Sequence, residues 1–550
     1  MCGIFGRISA CNGNSVFMEL AELSNQYRGP DATNYYKSQE GGVSIELGHT
    51  RLIITGDSQH GQQPTINSRV VLVYNGEIFS FDNVHVDGVS DTEILSEFLN
   101  DGISDEKLNS LNGFFAFGAY YAHSQTLYLV RDRFGEKPLY YKFLNGALYF
   151  SSTARPFKAL GANGVSSIQE AQGGGVLFDE NNPVNGVSQV PPGHLLCFVD
   201  GAIEVRKWYK PSYQSTTVSQ SYNKVVDEFE RLLFDAVKIR IRDQNKVAVS
   251  LSGGLDSTLV VDTIKSIGGV SIEAFTLSTN DPKFNELETV NRHASKIGLD
   301  VNVVIEPFHD LSQFNRCLEV LEFPSYNYSF VGYDSYYTAV SRKGIRVILE
   351  GHGPDEYLGG YAPMLLGYMA GRIVRGDIVA LIEGLRAYSR TFSVSIPRSL
   401  IAVALSAART ISKGAIPSGK RVNEIFFDSL SMPIVLRTFD RISMLNQIET
   451  RSPFMDYRLV ELGRSLTDRV LFSKGRTKSI LRTILESRGF KESDFGPKIG
   501  FTANYDDILC KLISCQDKRV SKQGEIRIAS HKESFQIAHR LCDKIFSDDF

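Results

Sequence analysis

Apolar positions in the first two hundred residues fall in short, closely spaced runs. Val70-Val71-Leu72-Val73-Tyr74 is one such run, ending in Asn75-Gly76. Phe114 to Tyr121, Thr126 to Val130, Pro138 to Phe143 and Ala147 to Ser151 follow, with turn residues such as Asn145-Gly146 between some of them. Short runs with tight turns predict antiparallel strands in two sheets packed face to face. Residues 208–221 are polar and contain Pro211, Ser212, Ser215, Thr216 and Thr217, a composition that predicts a linker. Beyond it the period changes. Tyr222 to Arg240 has a helical pattern, Val247 to Leu251 reads as a buried strand, and a glycine loop and a helix follow. Ile272 to Leu277 and Val301 to Ile305 are further strands, with a helix from Leu287 to Ile297 between them. Such alternation predicts a parallel α/β sheet. From about residue 365 the chain reads as mainly helical, in Met364 to Val374, Ile378 to Tyr388 and Ile396 to Ile411.

Composition narrows the class. At 550 residues the chain exceeds a single core and predicts two or three domains. A hydrophobic fraction of 42% with 22% charged residues is that of a soluble globular protein. The formal net charge of -3 argues against a broad nucleic-acid footprint. The cysteines at 2, 11, 197, 317, 510, 515 and 542 form no CxxC pair and no zinc-type spacing, which predicts a reducing, cytoplasmic location. No basic segment followed by an apolar stretch opens the chain, so no signal peptide is expected. Ile396 to Ile411 is apolar but is interrupted by Arg398 and Arg409, and it is shorter than a membrane span requires. A peripheral membrane contact is the alternative for that stretch.

Three places carry candidate chemistry. Cys2 stands directly behind Met1 in Met1-Cys2-Gly3-Ile4-Phe5-Gly6. If Met1 is removed, one residue offers a thiol and a free α-amine. The amine has a pKa of about 7.7–8.0 against about 10.4 for lysine, so it can serve as a base near neutrality. An ordinary small buried cysteine is the competing reading. Ser252-Gly253-Gly254-Leu255-Asp256-Ser257 follows Leu251 at the end of a predicted strand and opens a predicted helix. Glycines allow a tight turn that aims amides and a helix N-terminus at one point, a geometry suited to phosphate or pyrophosphate. Asp256 can hold Mg²⁺, and the absence of a Walker A lysine excludes a P-loop NTPase. Gly351-His352-Gly353-Pro354-Asp355-Glu356, followed by Gly359-Gly360-Tyr361, comes after another predicted strand, and Asp355 is a second candidate magnesium carboxylate. An acidic loop without chemistry is the alternative there.

Taken together, residues 2 to about 505 resemble the glutamine-dependent asparagine synthetases. Cys2 to Gly6, Arg28-Gly29-Pro30-Asp31, Gly48-His49-Thr50-Arg51-Leu52, Asn75-Gly76-Glu77 and Ser90-Asp91-Thr92-Glu93 resemble a class II glutamine amidotransferase. Ser252 to Ser257, Gly351 to Tyr361, Ser443-Met444, Glu449 to Asp456, Thr477-Lys478, Pro497-Lys498 and Gly500-Phe501 resemble the ATP-pyrophosphatase synthetase domain. The resemblance implies an α+β, Ntn-type αββα sandwich over residues 1–207 and a linker over 208–221. It then implies a parallel-sheet, PP-loop (HUP-like) synthetase domain over 222–505, with an inserted helical segment at about 364–430. Residues 506–550 are an extension without a readable motif.

The resemblance also implies roles. Cys2 would be the nucleophile, and Asn75 and Gly76 the oxyanion hole. Arg51, Glu77 and Asp91 would bind glutamine. Leu251, Ser252, Gly253, Gly254, Asp256, Ser257, Gly351 and His352 would bind ATP or pyrophosphate, with Mg²⁺ at Asp256 and Asp355. Lys478 would neutralise charge on the phosphates and the acyl centre. The substrates are then glutamine, ATP and a carboxylate acceptor, by default aspartate. Neither a nucleic-acid partner nor a membrane span is expected, and a homodimer is left open. The ammonia would need a water-excluding passage between the sites.

Three departures stand out. His352 occupies a position that is acidic or glutamine in typical asparagine synthetases, and Glu350 replaces a serine. Ser152-Thr153-Ala154-Arg155-Pro156 replaces a usual Ser-Glu. The apolar helical segment at 364–430 is read mostly as core, with an acceptor-shaping subdomain as the alternative. The departures at 350 and 352 put the acceptor in question, and a sugar uronate of surface-polysaccharide pathways is the second candidate.

Overall fold

A computed structural model describes residues 2–10, 15–54, 60–81, 84–85, 90–164, 169–171, 175–177, 184–211, 221–280, 285–305, 311–322 and 329–496. Most of the polar linker, the Pro497-Lys498 and Gly500-Phe501 strings and the extension at 506–550 lie outside these residues.

Two antiparallel sheets build the N-terminal half. One is six-stranded, in the order Ser188–Gln189, Tyr140–Leu144, Ala147–Ser151, Cys2–Ser9, Val43–Arg51, Ala32–Glu40. The other is seven-stranded and runs Ala202–Lys207, His194–Val199, Thr126–Arg131, Leu111–Tyr121, Val70–Phe81, Thr65–Ile66, with Val84–His85 also paired to Val70–Phe81. The strand Val70–Phe81 shows why its apolar run is continuous. Val71 and Val73 face the inter-sheet core with Ile4, Ile8 and Phe150, whereas Val70, Leu72 and Tyr74 face Leu95, Leu99 and Leu108 on the outer side. Successive side chains point to opposite faces, so a sheet covered on both sides needs apolar residues at every position. The helix Ser15–Asn25 covers the other sheet through Phe17, Met18 and Ala21, which completes the αββα layering.

The apolar run from Val70 ends at Asn75-Gly76, but the strand does not. The strand continues through both residues to Phe81, with Asn75 opposite Ala116 and Gly76 opposite Phe115. A Cβ on Gly76 would lie 2.1 Å from the Phe114 carbonyl oxygen, so the glycine permits close strand approach rather than reversal. Trp208 and Tyr209, the first residues of the expected linker, are buried in the N-terminal core, and the Trp208 indole donates to the Arg131 carbonyl at 3.2 Å.

The second half holds a five-stranded parallel sheet in the order Val301–Ile305, Ser271–Ser278, Lys246–Ser250, Val347–Leu349, Glu449–Arg451. Helices Tyr222–Ile241, Leu255–Ile267 and Leu287–Ile297 accompany it, close to their sequence-predicted bounds. Residues Ala362–Val374, Ile378–Phe392, Ile396–Ser412 and Gly419–Ile425 form further helices. Part of that segment is core, as Met364, Leu365 and Met369 are buried, but the outer faces of the middle two helices are exposed.

The halves meet through buried charges. Asp440 accepts an ion pair from Arg28 at 2.9 Å and another from Lys137 at 2.9 Å. Asp456 takes Arg240 at 3.1 Å and the Asn112 amide at 3.1 Å. Glu322 pairs with Arg441 at 3.2 Å and accepts the backbone amides of Ala154 and Arg155. Burial alone would raise the Asp440 carboxyl, but Arg28 and Lys137 outweigh it and hold the group far below the usual carboxylate range. Breaking such a contact leaves unpaired charge in the interior. Asp440→Ala is therefore expected to cost about 3–5 kcal/mol of stability, read as a lowered calorimetric midpoint. Because the folded carboxyl lies below its unfolded value, its contribution is full above about pH 4 and is lost as the pH falls further. The difference between wild type and variant should shrink in acid.

Candidate active site

One site lies in a cleft of about 410 Å³ that opens beside the first strand. Cys2 sits opposite Arg51 in the sheet register, and both line the cleft with Gly76, Glu77 and Asp91. Asn75 lies under the cysteine: its Oδ1 accepts the Cys2 nitrogen at 3.0 Å. Its Nδ2 is buried and has no hydrogen-bond partner among the described residues. A buried amide donor without a partner is costly, so it implies an acceptor supplied from the cleft. Arg28 holds the other side, donating to the Cys2 carbonyl at 3.1 Å.

The cleft is lined by charges of both signs. Arg51 supplies the guanidinium, oriented by a hydrogen bond to the His60 carbonyl. Glu77 and Asp91 supply carboxylates. Burial pushes Glu77 well above the ordinary carboxylate range; Arg451, at 3.6 Å, opposes this and Asp91 adds to it. Burial likewise raises Asp91, against the hydrogen bonds it accepts from the Tyr74 hydroxyl at 2.7 Å and the Ile78 amide at 3.1 Å. Two crowded carboxyls favour a cation between them. A zwitterion with a carboxylate toward Arg51 and an ammonium toward Glu77 and Asp91 would complement both signs.

The other site lies at the carboxyl ends of adjacent parallel strands, where open α/β sheets place ligands. Leu251 to Gly254 leave the strand Lys246–Ser250 and enter the helix Leu255–Ile267. Gly253 takes a left-handed φ of +78°, available to glycine at no steric cost. Ser257 closes the loop, its hydroxyl lying 3.1 Å from the Ser252 amide, which donates to it, and 3.0 Å from the Ser252 hydroxyl. Gly351 follows the neighbouring strand Val347–Leu349, and a Cβ there would lie 2.9 Å from the Ser257 nitrogen.

Three charged groups converge beside this loop. Lys478 Nζ pairs with Asp355 at 2.7 Å and, more tightly, with Asp256. Burial alone would pull the Lys478 ammonium down, but the two carboxylates outweigh it and hold the lysine above its ordinary value. Among the described residues no group of three or more His, Cys, Asp and Glu side chains is placed to hold a metal. Two carboxylates are what Mg²⁺ needs from a protein when phosphate and water oxygens complete its shell, so Asp256 and Asp355 fit that ion.

His352 is on the same loop as Asp355. Its Nε2 lies 3.1 Å from the buried Glu350 carboxylate, which also accepts the Tyr337 hydroxyl at 3.0 Å. Its ring packs on Phe439 with centroids 3.8 Å apart.

The structure thus brings the sequence-predicted residues into two groups. Cys2, Arg51, Asn75, Gly76, Glu77 and Asp91 form one. Leu251 to Gly254, Asp256, Ser257, Gly351, His352, Asp355 and Lys478 form the other. Residue-by-residue reading left out Arg28, Tyr74, Asp440, Glu449 and Arg451. Arg28 and Arg451 lie within recognisable strings, but their partners are fixed only by the folded arrangement.

Known proteins place this arrangement. Residues 228–548 match the family described as asparagine synthase, and residues 1–209 match the glutamine amidotransferase domain. Glutamine-hydrolysing asparagine synthetase 1 of Bacillus subtilis strain 168 is 25% identical over 526 residues, covering 85% of this chain and 81% of the relative. Its glutamine-hydrolysing asparagine synthetase 3 is 23% identical, covering 84% and 79%. Amidase chyE of Penicillium rubens is 29% identical over 364 residues, covering 61% of this chain and 53% of the relative.

Gly360 offers a test of the charged cluster. A Cβ there would fall 1.7 Å from Asp355 Oδ1 and 2.6 Å from Lys478 Cε. Gly360→Ala should displace both groups and lower ATP-dependent pyrophosphate release by at least roughly 100-fold, the scale of losing a positioned charge. Glutamine hydrolysis by the same preparation should be retained.

Proposed function

The chain belongs to the asparagine synthase family, and on that premise we propose that it moves ammonia from glutamine to a carboxylate that it activates with ATP. The observation that carries this reading is the joining of two chemically different sites across one interface of buried charges. The chain is a carbon–nitrogen ligase of the glutamine-hydrolysing type.

In this proposal the Cys2 thiol attacks the glutamine side-chain amide. A free α-amine on Cys2, once Met1 is removed, takes the thiol proton and passes it to the leaving ammonia. The unpartnered Asn75 Nδ2 and the Gly76 amide receive the oxyanion, and Arg51, Glu77 and Asp91 hold the amino-acid head. Water then releases glutamate. At the second site the loop Ser252 to Ser257 binds the phosphates of ATP. The acceptor carboxylate attacks the α-phosphorus, pyrophosphate leaves, and an acyl-adenylate remains. Magnesium at Asp256 and Asp355 would neutralise phosphate charge. Lys478 supports the same charge from the protein. Ammonia attacks the acyl carbon and AMP departs. Because ammonium is not a nucleophile, we place a dry passage between the sites.

Aspartate is the proposed acceptor, giving asparagine. A second reading, another carboxylate such as a sugar uronate, is favoured by one observation. Glu350 and His352 are paired to each other against Phe439 where typical members carry serine and an acid or glutamine. We place the reaction in the cytoplasm, in keeping with the free Cys2, Cys197 and Cys317.

The experiment supplies glutamine, ATP, Mg²⁺ and a panel of carboxylates and follows AMP and pyrophosphate. Aspartate-dependent AMP with asparagine supports the first reading, and AMP with a uronate alone supports the second. ADP as product, or no turnover with any acceptor, overturns both. Cys2→Ala should abolish glutamine use while leaving synthesis from added ammonia. Asn75→Ala should lower glutamine hydrolysis by about 10²–10³, the loss associated with one oxyanion donor. Asp256→Ala should stop AMP formation and leave glutamine hydrolysis in place.

A further inference from the structure

More than half of the large hydrophobic side chains exposed among the described residues fall between 373 and 425. They centre on the consecutive helices Ile378–Phe392 and Ile396–Ser412, whose axes are bent by 114°. The usual amphipathic arrangement is inverted in the second of these. Its buried residues are Ser399, Val403 and Ala407, while Ile396, Leu400, Ile401 and Leu405 face solvent, Ile401 at 61% exposure. In the first, Gly384, Leu385 and Tyr388 pack inward, and Ile378, Val379 and Ile382 are exposed, Val379 at 71%. A helix normally buries its larger apolar stripe, so an outward stripe of this size indicates a surface that meets something apolar.

The charges around it say what. Residues 372–421 hold nine Lys and Arg against two Asp and Glu, in a chain whose net charge is -3. Arg375, Arg386, Arg390, Arg398 and Arg409 are exposed and have no ion-pair partner among the described residues. A second copy of the chain would present the same patch across a two-fold axis and set this positive charge against itself. An anionic lipid surface complements both properties at once, taking the apolar side chains below its headgroups and the arginines among them. Neither helix crosses a bilayer by itself, and only the two together, bent by 114°, have the length and composition of a broken span. Ile396–Ser412 spans about 25 Å at 1.5 Å per residue, short of a hydrocarbon core of about 30 Å, and no single helix among the described residues is long and apolar enough.

We propose that these two helices lie in the surface of an anionic membrane, with the isoleucines and leucines inserted and the arginines at headgroup level. This surface goes beyond the amidotransferase reading and does not depend on it. The inner side of the first helix touches the turn Ser473–Gly475, where a Cβ on Gly475 would lie 2.5 Å from the Gly384 nitrogen. The membrane-facing layer is thus one contact away from the segment that carries Lys478.

The test floats the full-length protein with phosphatidylcholine vesicles and with phosphatidylcholine–phosphatidylserine vesicles. Binding is expected to the anionic vesicles, little to the neutral ones, and to fall as salt is raised. Arg390→Gln and Arg398→Gln should each weaken vesicle affinity roughly fivefold, the factor for one cation near an anionic surface. Ile401→Ser with Leu405→Ser should weaken it at least about tenfold through lost insertion. All four positions are exposed, so glutamine hydrolysis serves as the check that the variants fold. Failure to float with anionic vesicles overturns the proposal, as does flotation indifferent to these substitutions. A concentration-dependent dimer that Ile401→Ser and Leu405→Ser dissolve also overturns it, and assigns the face to a second copy.

Discussion

Asp440 is the constraint on which the arrangement of the two halves depends. Its carboxylate lies in the synthetase half and is surrounded by Arg28 and Lys137 from the glutaminase half, each at 2.9 Å. A buried ion pair of this kind is a poor source of net stability, since desolvation offsets most of the attraction. Its consequence is positional. Two apolar faces can slide against each other at little cost, whereas an interior carboxylate has one place where both its cations are met. Arg28 then carries that register to the proposed nucleophile, since it also donates to the Cys2 carbonyl. The pairs at Asp456 and Glu322 repeat the device, with a carboxylate satisfied by groups from both halves.

Arg451 extends the same logic toward both sites. It ends the edge strand Glu449–Arg451, its guanidinium pairs with Glu449 at 2.6 Å, and it reaches Glu77 in the cleft beside Cys2 at 3.6 Å. Its carbonyl accepts the Glu350 amide at 3.0 Å, directly ahead of Gly351 and His352. One residue thus touches a wall of the first site by its side chain and the loop of the second by its backbone. A change of charge at Glu77 acts on the group that also supports that loop.

The legible and illegible parts divide on physical grounds. Helix Leu287–Ile297 and strand Val301–Ile305 fall where periodicity puts them, because each is set by local spacing and by a glycine or a charged turn at its end. Asn75-Gly76 ends the apolar run but not the strand, although the dipeptide is a strong turn former in isolation. The partner strand Leu111–Tyr121 overrides that preference and uses the glycine for close approach. Trp208 and Tyr209 mislead, because the polar residues that follow them hide two aromatics belonging to the preceding core. Within the sites, motif spacing locates Cys2, Arg51 and the loop Ser252 to Ser257. The pairing of Arg28 with Asp440 was beyond reach, because the two are 412 residues apart and nothing local marks either as the other's partner. The segment at 364–430 shows a further limit. Periodicity reports that a helix has an apolar stripe, but only the neighbours decide whether that stripe turns inward.

The pair Glu350 and His352 bears on the acceptor through charge. A carboxylate placed directly at position 352 would present a full negative charge to the acceptor and would favour a cationic group there. Here the carboxylate sits two residues earlier, is buried, and already takes the Tyr337 hydroxyl. What the loop presents instead is an imidazole, oriented through Nε2 by Glu350 and packed at a tilt on Phe439. An imidazole can donate or accept a hydrogen bond and tolerates a neutral or anionic neighbour, whereas an exposed carboxylate repels an anion. Relative to members with an acid at this position, the exchange removes a negative charge from the loop. In the proposed uronate reading, this imidazole would face hydroxyl and carboxylate groups of the acceptor.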